Sequence, residues 1–113
     1  LRLGFCRNCI FRASATAALD EVGIEWDMAV DSESDRTVEA TVSADLAIGV
    51  LLEGTQPAHQ EVIEHGGVLP ALPVQQINLY GADRVRAEYV GDLANIIRQG
   101  FAALRPAQLR AAG

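Results

Sequence analysis

The spacing of apolar residues along the chain switches between periods, and each switch marks an element. Leu1 to Phe5 reads as a short strand, followed by a turn at Arg7-Asn8. From Cys9 to Val22, Phe11, Ala15, Ala18, Leu19 and Val22 form one apolar stripe at helical spacing. Asn8 is placed to cap the start of that helix and Gly23 to end it. Ile24 to Asp31 then alternates: Ile24, Trp26, Met28 and Val30 share one face, and Glu25, Asp27, Ala29 and Asp31 the other. That is the pattern of a half-buried strand. Ser32, Ser34 and Asp35 can each cap a following helix, whose Val38, Thr41 and Val42 fall on one face. Asp45 is expected to end it in the left-handed conformation, a role Asp can fill where Gly is usual. Leu46 to Leu52 holds no polar residue, as expected for a strand covered on both faces. The first half therefore predicts β-α-β-α-β, a parallel sheet with helices packed on it.

The second half is less regular. Glu53 to Pro73 carries Gly54, Pro57, Gly66, Gly67, Pro70 and Pro73 and is expected to be mostly loop, with a short element around Gln60 to Glu64. Val74 to Tyr80 reads as a last strand, with Ile77 and Leu79 at its centre, and Gly81 to Arg84 as a turn. Val85 to Leu104 reads as the longest helix, striped by Val90, Leu93, Ile97, Phe101 and Leu104 and ended by Pro106. Ala107 to Gly113 reads as a tail.

Composition narrows the function. The 113 residues suit one small domain or part of a larger one, and half of them are hydrophobic. Net charge is −6 and all nine basic residues are Arg, without a basic stripe, so this segment is not expected to bind nucleic acid by itself. The longest apolar run, Leu46 to Leu52, is far too short to span a bilayer. A start at Leu1-Arg2-Leu3 without Met is read as that of a fragment. Two cysteines are too few for a disulfide framework, and a reducing cytoplasm is the expected setting.

Cys6-Arg7-Asn8-Cys9 is the sharpest local motif. A C-x-x-C between a strand and a helix is the thioredoxin arrangement, in which the helix N-terminus lowers the first thiol's pKa. A thioredoxin-like domain also needs a proline loop facing the thiols, whereas Pro57, Pro70 and Pro73 sit in loop without a clear strand partner. Cys6, Cys9, His59 and His65 have the residue types of a zinc set but not its spacing, and no metal or other cofactor is expected. The carboxylates Asp31, Glu33, Asp35, Glu39 and Asp45 read as helix-cap or solvated groups. No phosphate loop, nucleophile elbow or serine–histidine pairing is present, so the chain is not expected to be an enzyme.

Val42-Ser43-Ala44-Asp45-Leu46-Ala47-Ile48-Gly49 resembles the V-x-A-G-L-G-I motif that follows a helix in the effector-binding domain of LysR-type transcriptional regulators. Gly67-Val68-Leu69-Pro70-Ala71-Leu72-Pro73, Ile77-Asn78-Leu79-Tyr80 and Ile96-Ile97-Arg98-Gln99-Gly100-Phe101 extend the resemblance over nearly the whole chain. It covers only the second half of such a domain, and Asp45 and Ala47 stand where many members have Gly. The resemblance implies an α/β, three-layer lobe of a type 2 periplasmic-binding-protein-like fold, with a β-α-β-α-β core, a last strand and a long C-terminal helix. Residues 1–80 would be mostly the second lobe and 81–113 the closing helix, returning towards the first. A winged helix-turn-helix domain, absent from this chain, would contact promoter DNA. Dimers or tetramers and a small-molecule effector in the cleft between lobes are also implied.

In an open α/β lobe, ligands bind beyond the carboxyl ends of the strands. Phe5 leads into Cys6, Arg7 and Asn8; Val30 leads into Asp31, Ser32, Glu33 and Ser34; Leu52 leads into Glu53, Gly54 and Thr55. The first two stretches precede helix N-termini, whose free N–H groups favour an anion. Cys6, Arg7, Asn8, Ser32 and Ser34 are therefore expected to line one side of an effector cleft. Arg7 offers a bidentate contact and Ser34 a hydroxyl. Asp31 and Glu33 oppose a simple anion, which favours a zwitterionic or polar effector. The alternatives are a thiol–disulfide oxidoreductase using Cys6 and Cys9, and half of a periplasmic solute-binding protein.

Overall fold

A computed structural model describes residues 1–81 and 88–104 as a small mixed α/β protein. Its elements are β1 (Arg2–Cys6), α1 (Arg12–Glu21), β2 (Asp27–Ser32), α2 (Asp35–Ser43) and α3 (Glu88–Leu104). The chain divides into two compact units. The first comprises Leu1–Leu52 and Gln56–Val74. Of the described residues, 53–55, 75–81 and 88–104 belong to the second.

In the first unit β1 pairs with β2 in parallel, from Arg2 opposite Asp27 to Cys6 opposite Ser32. On its other side β1 meets the chain at Ile48: the Gly4 N–H donates to the Ile48 carbonyl at 2.8 Å and the Ile48 N–H to that of Arg2 at 2.9 Å. The order is thus β2, β1, then the Ile48 segment, all parallel.

Side chains alternate across β1, so Leu3 and Phe5 face one way and Gly4 and Cys6 the other. Leu3 and Phe5 cluster with Ala15 and Leu19 of α1 to form the core, with Trp26, Met28, Ile48 and Val50 packed around them. On the opposite face, Val42 of α2 comes close to Gly4. The two helices therefore sandwich the sheet.

β2 departs from the expected alternation. Leu3 pairs with Met28 but Gly4 pairs with Val30, so Ala29 is an extra, bulged residue. A one-residue slip sends every later side chain to the other face. Met28 stays with the α1-side core, whereas Val30 turns towards Gly4. The strand also begins at Asp27 rather than Ile24.

Three further expectations are corrected. The first helix starts at Arg12, not Cys9, and Asn8 does not cap it: the Cys9 N–H closes a turn onto the Cys6 carbonyl, and Phe11 occupies the cap position. The apolar run from Leu46 to Leu52 makes one parallel bridge instead of a covered strand, with Leu46 53% and Leu51 52% exposed. Its outer edge finds no further strand among the described residues, so apolar content alone does not bury it. Val74 to Tyr80 is not a strand; without a partner ladder it runs as exposed chain. Asp45 does adopt the left-handed conformation, with φ 59°, its N–H donating to the Val42 carbonyl at 3.0 Å.

In the second unit, Leu79 and Tyr80 and the Val90, Leu93 and Ile97 positions of α3 line a cavity of about 190 Å³. The expected start of α3 at Val85, its end at Pro106, most of the 81–84 turn and the 107–113 tail lie outside the described residues.

Candidate functional site at the carboxyl edge of the sheet

β1 and β2 end side by side. Cys6 pairs with Ser32, and the Arg7 N–H extends the ladder by donating to the Ser32 carbonyl at 2.8 Å. The Ser32 hydroxyl accepts the Ser34 N–H at 3.1 Å, a local turn that leads into α2. Ser34 is the N-cap of α2, but its hydroxyl makes no capping bond. Asn8 is exposed in the turn between Cys6 and Cys9. The parallel order therefore gathers Cys6, Arg7, Asn8, Ser32 and Ser34 at one edge.

Ion pairs organise this edge, and one of their members, Arg12, lies outside the ligand expectation. Arg7 reaches Glu33 at 3.2 Å and Asp31 at 3.5 Å. Arg12, in the first turn of α1, holds Asp31 through its two terminal guanidinium nitrogens, at 3.0 and 3.5 Å. The Arg12 guanidinium keeps the Asp31 carboxyl below its usual range, and Arg7 adds to this. Arg7 and Arg12 are balanced by Asp31 and Glu33. An anion placed here would have to displace one of these ion pairs.

The two cysteines have different surroundings. The Asp35 carboxylate at the start of α2 is the main influence that raises the Cys6 pKa, followed by partial burial. Cys9 packs against the core cluster on the α1 side. Both are free. A redox C-x-x-C needs a lowered first thiol, and here the neighbouring carboxylate acts in the opposite direction. Asp35→Asn is expected to speed alkylation of Cys6 at pH 8 by about threefold or more, because the thiolate fraction follows the pKa. Site-resolved mass spectrometry with iodoacetamide measures it; an unchanged or slower rate would show that Asp35 does not control the thiol.

The histidines serve the loop. His59 Nε2 lies 2.9 Å from Glu39 of α2, beside Gln60, whose amide reaches the Glu39 carbonyl and the Ser43 hydroxyl. His65 Nδ1 accepts the N–H groups of Gly67 and Leu69, each at 3.2 Å. Among the described residues no group of three His, Cys, Asp or Glu side chains is arranged to hold a metal, and no helix is long and apolar enough to cross a membrane.

Comparison with family models, with curated proteins and with solved structures gives no match to this chain.

Proposed function

We propose that the chain is the effector-sensing part of a transcriptional regulator of the LysR kind, with a lobe of the type 2 periplasmic-binding-protein-like fold. The observation that supports this is the strand order. From β1 the chain crosses to β2 on one side, then back over β1 to Ile48 on the other, with helices on opposite faces. Open α/β sheets with such a reversal take ligands outside the carboxyl ends of their strands. Cys6, Arg7, Asn8, Ser32 and Ser34 lie at that end of β1 and β2. The Arg7–Glu33 pair favours a small zwitterion, whose carboxylate and amine each replace one half of it. Promoter DNA is contacted through a separate winged helix-turn-helix domain.

A thermal-shift screen against small polar metabolites, followed by an amide chemical-shift map, tests this reading. A binder is expected to shift Arg7, Asn8, Ser32 and Ser34, and Arg7→Ala to weaken it about tenfold, as for loss of a charge-assisted contact. Shifts confined to the opposite strand ends, near Leu1, Ile24 and Leu46, would reject the site.

Self-association is part of the same proposal. α3 exposes Leu93, Ile96 and Phe101, an apolar face unusual for a solitary helix. Sedimentation equilibrium is expected to give a dimer or larger; a monomer at high concentration would rule this out.

A further inference from the structure

We infer that the first unit holds a second, apolar ligand site, on the α1 face of the sheet and apart from the charged edge. A pocket of about 70 Å³, open to solvent on one side, is lined there by Leu3 and Phe5 of β1, Ala15 and Leu19 of α1, Ile48, and Leu69 of the loop. One water needs roughly 10–15 Å³, so the space is several waters large. The side chains lining it are all apolar. Water inside gains no side-chain hydrogen bonds, and an apolar occupant is favoured.

The shape of the site sets the class of ligand. Leu3, Phe5, Ala15 and Leu19 are almost fully buried and form a fixed floor. Ala15 is the small side chain that leaves the room. The outer wall is the loop from Leu69 to Leu72, anchored where the Leu69 N–H donates to His65 Nδ1. Leu72 is 39% exposed at the mouth. The volume is too small for a helix or strand of a partner protein. It fits a small uncharged molecule, of the order of one aromatic ring or a short branched alkyl group. The inference rests on this cavity alone and does not depend on the regulator reading.

Benzene is the probe, titrated into the 113-residue chain and followed through side-chain methyl and amide shifts. Saturable shifts are expected at Leu3, Leu19 and Ile48, with Arg7 and Ser34 unmoved. Ala15→Met, which fills the space from the α1 side, is expected to weaken binding at least tenfold. Leu72→Gln, at the exposed mouth and harmless to the floor, is expected to weaken it severalfold and serves if Ala15→Met does not fold. No saturable shift in the unaltered chain would overturn the inference, whether the cavity is closed or filled by a neighbouring side chain. Shifts spread over the exposed face of α3, or equal affinity in the folded variants, would overturn it too.

Discussion

Phe5→Ala is expected to remove most of the stability of the first unit. Phe5 is 2% exposed and sits where β1, α1 and the Ile48 segment meet. Few other residues share that load: Leu3, Ala15, Leu19 and Ala47 are the other buried hydrophobic residues among those described. Truncating a buried phenylalanine costs about 3–5 kcal/mol, the lost transfer energy plus the cavity left behind. A small domain holds only ~5–15 kcal/mol in all. The unfolding midpoint should therefore fall by roughly 15 °C or more, or the cooperative transition should vanish. Circular dichroism during heating measures this. Ile10→Ala is the control: its side chain is 77% exposed in the first unit, and a shift of a few degrees at most is expected. If the two variants lose the same stability, the core is not where Leu3 and Phe5 place it.

The elements written in local chemistry were legible from the sequence. Asp45 could be read as a left-handed helix end because its short polar side chain tolerates that geometry, and it has it. Leu19 and Ala15 could be read as the buried side of α1 from their spacing. Features that depend on pairing were not legible. The bulge at Ala29 is fixed by the register against β1, which alternation within β2 cannot reveal. Leu46 to Leu52 looked like a central strand because apolar runs say nothing of how many neighbours a strand has.

The candidate site divides in the same way. Cys6, Arg7, Asn8, Ser32 and Ser34 share an edge because parallel order puts successive carboxyl ends together, which the β-α-β pattern already implies. The Arg12–Asp31 pair is a consequence of the bulge. Strict alternation puts Asp31 on the face away from Met28; the slip at Ala29 turns it back towards α1, where Arg12 meets it. An interaction at the site was thus hidden by an irregularity two residues before it.

Gly4→Val is expected to lift α2 from the sheet, with an effect that reaches the Cys6 thiol. Gly4 is buried in the middle of β1. A Cβ there would lie 3.2 Å from Val30 Cγ1, 3.4 Å from Ala47 Cβ and 3.4 Å from Val42 Cγ2. Those neighbours belong to β2, the Ile48 segment and α2, so no single side chain can move to make room. Alanine is the marginal case, needing shifts of a few tenths of an ångström. Valine adds two methyl groups in the same space, and overpacking of this kind costs about 1–3 kcal/mol. The backbone of β1 is held by ladder bonds on both sides, whereas α2 has no fully buried residue. The helix is therefore the element that yields. As α2 moves out, Asp35 leaves Cys6, the influence that raises the thiol's pKa is lost, and alkylation at pH 8 accelerates as in Asp35→Asn. Val42→Ala removes the methyl group nearest Gly4 on α2 and is expected to restore part of both stability and slow alkylation in the double variant. If Gly4→Val unfolds with an unchanged midpoint and Cys6 stays slow, the close approach of α2 to β1 is wrong.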